Sequence, residues 1–252
     1  MSDIITIGVI GLGNAGLPIL NNLFKSKKYN IVAFDIDKNK LNDLSEDIIK
    51  ANSIKDIAGK CSVVLTCLPK PEHVLEVVDG KEGLLHNAPS GMIWIDTSTT
   101  DFKQTQKLAE KAKTYGVSML EATLTGGVHA LQNNNMVCLA GGDKEIFDKW
   151  KEVLQDAIGE VVVLCGDIGA GAIAKVVSNM LAFTNMVAAS ECMMIAKRAG
   201  LDLENFFDAI RVSAGNSFAW ETVVPHIFNQ KYESGFTMDL ACKDMNLSYL
   251  LG

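Results

Sequence analysis

One stretch near the start of the chain constrains the fold more than any other. A β-branched apolar run from Ile4 to Ile10 leads into the glycine spacing Gly11-Leu12-Gly13-Asn14-Ala15-Gly16, and an apolar-periodic segment follows from Leu17 to Ser26. In that order the three parts read as a buried parallel strand, a tight turn and a helix. A second strand, Asn30 to Phe34, ends at Asp35, and Lys38 to Leu44 reads as helical, so the opening is a βαβ unit.

The alternation continues. Ser62 to Cys67, Met92 to Ile95, Ser118 to Leu120, Met136 to Ala140 and Glu160 to Leu164 all read as short strands separated by helical or loop segments. Strands alternating with helices predict an α/β fold, a Rossmann-type doubly wound parallel sheet. After Cys165 no further strand is predicted. The expected division is a nucleotide-binding domain over 1–165 and an all-α domain over 166–252, joined by a long connecting helix from about Ala172 to Ala199. At ~1.5 Å per residue that helix is ~40 Å long. Val176 to Ala196 is apolar enough to raise a membrane span, but Asn179, Asn185, Ser190 and Glu191 interrupt it. Burial between two domains, or against a second subunit, accounts for it better.

Charge narrows the function. A net charge of -7 argues against nucleic acid as a partner, because phosphate contacts need clustered cations and the only dense stretch is Lys25-Ser26-Lys27-Lys28. The six cysteines form no CxxC pair and no Cys/His array, so neither a disulfide framework nor a metal site is expected. The N-terminus lacks a basic region before its apolar run, and a cytoplasmic protein is expected.

The glycine spacing has a specific chemistry in this context. Gly11 permits the tight turn, Gly13 lets backbone approach a pyrophosphate, and Gly16 lets the helix pack closely on the sheet. The helix N-terminus adds N–H groups and a positive dipole end. Asp35, 19 residues after Gly16, can accept hydrogen bonds from the adenosine ribose and would repel a 2′-phosphate. NAD is therefore the expected cofactor, NADP the less favoured one.

Four further groups carry chemistry. Lys175 and Asn179 lie four residues apart after Gly169-Ala170-Gly171, which places an amine and an amide on one helix face. Taken singly, they read as a snorkelling cation and a buried amide; their spacing and the nucleotide-binding context favour proton transfer. Thr125-Gly126-Gly127 follows a strand and offers a hydroxyl beside unhindered N–H groups, a nest for a substrate carboxylate. Leu68-Pro69 and Ser98-Thr99 end predicted parallel strands, where a doubly wound sheet places its ligand. A helix cap remains an alternative for Ser98 and Thr99.

These residues, taken in order, resemble the β-hydroxyacid dehydrogenase family. The resemblance rests on Gly11 to Gly16, Leu68-Pro69, Asp96-Thr97-Ser98-Thr99, Glu121 to Gly127, Gly169 to Gly171 with Lys175 and Asn179, and Phe236 with Lys243-Asp244. It implies that Lys175 is the catalytic acid/base and that Asn179 orients the substrate. Leu68, Pro69, Ser98, Thr99 and Lys243 would touch the cofactor, while Phe236 and Asp244 would shape and order the substrate site. Burial near the nicotinamide would disfavour the ammonium form of Lys175. The implied activity is NAD-dependent oxidation of a small 3-hydroxy acid such as 3-hydroxyisobutyrate, or reduction of its semialdehyde, in a homodimer or homotetramer. Sugar acids or sulfonated three-carbon hydroxy acids are alternative substrates, and a non-catalytic NAD-binding module is the alternative outside enzymology. The chain departs from the family's usual Asp-Ala-Pro-Val-Ser-Gly-Gly at Glu121, Thr123 and Thr125. It also stops at Gly252, where relatives usually continue with further helices, so an incomplete C-terminal domain is expected.

Overall fold

The computed structural model describes residues 4–126, 128–230 and 236–251, with the side chains of Val128 and His129 outside that description. The chain divides into two compact units at Lys175/Val176. That division falls within the long helix expected from about Ala172 to Ala199.

The first unit is built on eight strands: β1 (Thr6–Ile10), β2 (Asn30–Phe34), β3 (Ile49–Lys50), β4 (Val63–Thr66), β5 (Ile93–Asp96), β6 (Ser118–Thr125), β7 (Val137–Gly141) and β8 (Val162–Leu164). Their order across the sheet is β3-β2-β1-β4-β5-β6-β7-β8. Between them lie α1 (Gly16–Ser26), α2 (Ile54–Lys60), α3 (Pro71–Asp79), α4 (Leu84–Asn87), α5 (Phe102–Thr114), α6 (Val128–Gln132) and α7 (Lys144–Ala157).

Period-two alternation sends successive strand residues to opposite faces. Ile7, Val9, Val63, Leu65, Ile93 and Ile95 pack with Ile19, Leu20 and Leu23 of α1 and with Phe147, Trp150 and Leu154 of α7. Ile10, Val64 and Trp94 face the other way, against Ile57, Val74, Val78, Leu108 and Ala112 of α2, α3 and α5. Helices thus cover both faces, which is why the strands read as nearly continuous apolar runs. Ile19, Leu20 and Leu23 are fully buried, each contributing roughly 1.5–3 kcal/mol relative to an exposed position. The helix they anchor ends at Lys27, whose left-handed φ of 58° reverses the chain into β2.

Two details differ from the expected parallel sheet. β6 and β7 pair antiparallel, Glu121 opposite Gly141 and Thr125 opposite Val137. Eleven residues separate these strands, fewer than the dozen or more that a parallel crossover requires, so the chain returns beside its own path. The segment expected as a helix over Lys38 to Leu44 is one 3₁₀ turn, Lys38–Leu41, started by Asp37, whose side chain accepts the Asn39 N–H.

Helix α8 (Ala170–Arg198) runs through the division, followed by α9 (Leu203–Arg211), α10 (Phe218–Phe228) and α11 (Met238–Tyr249). Among the described residues no strand occurs after β8. The second unit has a small core of its own: Ala189 and Met193 of α8 meet Trp220 and Val224 of α10, with Phe206, Phe207 and Phe228 packed around them. Trp220 stacks on Phe207 and donates its ring N–H to the Phe207 carbonyl at 3.1 Å. Among the described residues α8 is the one helix long and apolar enough to cross a bilayer by length and composition. Leu181, Val187 and Ile195 on it are exposed.

Candidate active site

β1 lies between β2 and β4, so the strand order reverses at its C-terminal end, and the glycine-rich turn sits at that switch point. Gly11 has a φ of +92°, a conformation that favours glycine, and its N–H donates to the Phe34 carbonyl at 2.9 Å. Ala15 occupies the N-cap of α1, which has no side-chain cap and no acidic residue in its first turn. The space where a Gly13 side chain would stand is open to 4 Å. An uncapped helix end with open space before it fits a pyrophosphate.

Asp35, directly after β2, closes this cradle. Its Oδ2 accepts the Leu12 N–H at 2.7 Å and lies 3.2 Å from Lys40 Nζ, while Oδ1 accepts the Asp37 N–H at 2.9 Å. A carboxylate has about four acceptor positions, so these three contacts leave capacity for a ribose hydroxyl. The buckle between Asp35 and Leu12 was not foreseen from sequence, because it joins groups 23 residues apart.

At the ends of β4 and β5 the buried polar groups form one network. Thr66 Oγ1 donates to Asp96 Oδ1 at 2.8 Å, Trp94 Nε1 donates to Thr66 Oγ1 at 2.9 Å, and the Ser98 N–H reaches Asp96 Oδ1 at 3.1 Å. Ser98 Oγ accepts the Leu68 N–H at 2.9 Å, which ties together two positions expected to meet the cofactor. Asp101, rather than Ser98 or Thr99, is the N-cap of α5. Burial pushes the Asp96 carboxyl up to about 6, against hydrogen bonds from Ser98 and Thr66 that hold it down.

This raised value has a thermodynamic sign. The folded chain binds the Asp96 proton more tightly than an unfolded chain with its ordinary value of 3.8. The associated stability is complete below the unfolded value and is lost as pH rises through about 6. Asp96→Asn keeps an acceptor for Thr66 and Ser98 but no titration. Melting temperatures from pH 4 to 8 are expected to show the variant gaining on the parent as pH rises; parallel curves would contradict this.

Thr125 ends β6 and Gly126 follows with a φ of +125°; Gly127 lies outside the described residues. Further back on the strand, Glu121 is buried and its carboxylate turns toward the start of α8, accepting N–H groups from Gly169, Gly171 and Ala172. Burial raises this carboxyl to about 7, opposed by those three N–H bonds. From sequence Glu121 was only a departure from a family pattern. An acid between Leu120 and Ala122, at the end of a strand-like run, was the available signal that it serves a buried partner. Lys175 stands on the second turn of α8 and is buried.

The second unit brings together four of the expected residues. Asn179 Nδ2 donates to Asp244 Oδ2 at 2.7 Å, and Lys243 Nζ lies 3.2 Å from Asp244 Oδ1. Phe183, one turn beyond Asn179, meets the Phe236 ring at 6.0 Å. One face of α8 is thus matched to the segment from Phe236 to Asp244, and Asp244 holds the Asn179 amide in one orientation.

Comparison with known proteins agrees with this architecture. Residues 6–166 match the family described as the NAD binding domain of 6-phosphogluconate dehydrogenase, and residues 169–251 match the NAD-binding region of NADP-dependent 3-hydroxyisobutyrate dehydrogenase. Mitochondrial 3-hydroxyisobutyrate dehydrogenase of Mus musculus is 31% identical over 250 residues, 96% of this chain and 74% of that protein. The 2-(hydroxymethyl)glutarate dehydrogenase of Eubacterium barkeri is 30% identical over 254 residues, covering 100% of this chain and 84% of its own length. The structure of Mycobacterium tuberculosis 3-hydroxyisobutyrate dehydrogenase with L-serine aligns with a TM-score of 0.90 at 26% identity, over 98% of this chain and 86% of that one. The chain is an oxidoreductase acting on hydroxyl groups with a nicotinamide cofactor. Matched in order from residue 6 to residue 251, it belongs to the β-hydroxyacid dehydrogenase family.

Proposed function

We propose that the chain oxidises a small 3-hydroxy acid such as 3-hydroxyisobutyrate to its semialdehyde with NAD, or runs the reverse reduction. The observation that carries this reading is the pair Lys175 and Asn179, one turn apart on α8 and only 9% and 8% exposed. Burying an amine and an amide is costly unless both are engaged, and such groups concentrate at reactive sites.

In this reading the nicotinamide supplies the hydride acceptor in oxidation and the donor in reduction. Lys175 takes the substrate hydroxyl proton in oxidation and returns it to the carbonyl oxygen in reduction. Thr125, Gly126 and Gly127 receive the carboxylate through a hydroxyl and backbone N–H groups. Asn179, oriented by Asp244, holds the substrate, with Phe236 shaping the site. Leu12, Asn14 and Ala15 belong to the phosphate cradle, while Leu68, Pro69, Ser98, Thr99 and Lys243 serve the cofactor. Self-association into a dimer or tetramer is supported by the exposed Leu181, Val187 and Ile195, and a reducing, cytoplasmic setting by six unpaired cysteines.

The test is the rise of reduced nicotinamide absorbance with a panel: 3-hydroxyisobutyrate, 2-(hydroxymethyl)glutarate, glycerate, hydroxybutyrates, threonate and sulfonated three-carbon analogues. Turnover strongest with a 3-hydroxy monocarboxylate supports the reading. Preference for a sugar acid or sulfonate moves the substrate, and silence across the panel with intact NAD binding favours a binding module. Because a carboxylate at Asp35 would accept ribose hydroxyls and repel a 2′-phosphate, kcat/KM with NAD is expected to exceed that with NADP by about tenfold or more. Equal or better use of NADP overturns the cofactor assignment.

A further inference from the structure

We propose that Glu121 and Thr123 are positioning residues for Lys175, seating the first turn of α8 on the sheet and thereby fixing where the lysine amine stands. The proposal rests on the dehydrogenase reading of Lys175 and deepens it.

The joint is made by three elements. Glu121 Oε2 accepts the Gly169 N–H at 2.6 Å and the Gly171 N–H at 3.3 Å, and Oε1 accepts the Ala172 N–H at 3.3 Å. Three donors of an open helix end are thus satisfied by one carboxylate about 50 residues earlier in the chain. Thr123, two residues along the same strand, donates its hydroxyl between the Leu139 carbonyl at 2.9 Å and the Gly171 carbonyl at 3.1 Å. Backbone proximity locks the arrangement. A side chain at Gly141 would stand 2.2 Å from Glu121 Oε2, and one at Gly171 would stand 2.9 Å from the Leu139 carbonyl.

The path to Lys175 is short. Gly171 and Lys175 are four residues apart, stacked on one helix face, and in an α-helix the Gly171 carbonyl is the acceptor for the Lys175 N–H. Any slide or rotation of the first turn therefore carries the lysine with it. Misplacing a reacting group by about 1 Å can cost ~100-fold in rate. Glu121 and Thr123 thus act on one joint: the carboxylate takes N–H groups of the first turn, and the hydroxyl binds the Gly171 carbonyl.

Glu121→Gln keeps the shape but turns an NH₂ toward N–H donors; Thr123→Val keeps the shape and removes only the hydroxyl. For Glu121→Gln, kcat is expected to fall about 30-fold, with KM and NAD affinity within about threefold; for Thr123→Val the fall is about fivefold. In a Lys175→Ala background Glu121→Gln should add no further loss, because both act through the same amine. NMR of ¹⁵N-lysine-labelled protein, with Lys175 assigned by its loss in Lys175→Ala, reads the seating without any substrate. Both variants should move the Lys175 signal while other lysines hold still. A parent inactive on every hydroxy acid would refute the dehydrogenase reading and leave the NMR arm to judge the joint. Should Glu121→Gln fail to fold, Thr123→Val decides. An unmoved Lys175 signal with kcat within twofold of the parent overturns the proposal, as does a Thr123→Val variant that loses turnover, NAD affinity and melting temperature together.

Discussion

Lys175→Ala is expected to lower turnover by about a thousandfold while leaving NAD affinity within about twofold. The first figure follows from the role: general acid–base groups contribute roughly 10²- to 10⁴-fold. The second follows from geometry, because the cradle proposed for the pyrophosphate at Gly11 to Gly16 and the Asp35 buckle are built around β1, α1 and β2, without Lys175. Lys175→Arg should not rescue turnover, since a guanidinium keeps its charge and cannot accept the hydroxyl proton. The measurement is steady-state kcat on the best substrate of the panel, beside NAD titration by protein fluorescence. Turnover surviving within tenfold would remove Lys175 from proton transfer. Loss of NAD binding with it would make the lysine a cofactor contact.

How much of this was legible in the sequence depended on whether the information was local. The strands were, because β4 is buried along its whole length and β1 in all but Thr6, with Ile7, Val9, Val63 and Leu65 on one face and Ile10 and Val64 on the other. β3 was not: two residues at a sheet edge, both exposed, carry no pattern. The direction of β7 was hidden because its strand-like composition is the same in either orientation and only the length of its connection decides. The candidate site divided the same way. Glycine spacing and the Lys175–Asn179 pair are local and were readable. The partners that hold them, Asp35 for Leu12, Asp244 for Asn179 and Glu121 for Gly169, lie 23, 65 and 48 residues away. A single sequence names such residues without pairing them.

Gly13→Ala and Gly16→Ala are expected to separate the two jobs of the glycine motif. A Cβ at Gly16 would lie 1.8 Å from the Gly11 carbonyl oxygen and 3.2 Å from Cys67 Cβ. Neither neighbour is a flexible side-chain end, so α1 must shift off the strand ends, and overpacking of this kind costs about 1–3 kcal/mol or more. Gly16→Ala should therefore melt at least about 5 °C below the parent and bind NAD poorly as a consequence. A Cβ at Gly13 meets nothing within 4 Å. Gly13→Ala should melt within about 1 °C of the parent, yet its NAD affinity should fall about tenfold or more, because the methyl would occupy the approach proposed for the pyrophosphate. Differential scanning calorimetry and NAD titration on the two variants give four numbers, and the proposal requires them to cross: stability lost at Gly16, affinity alone lost at Gly13. Unchanged NAD binding in Gly13→Ala would mean that the open space before α1 is not where the pyrophosphate lies, and the assignment of the whole cradle would fall with it.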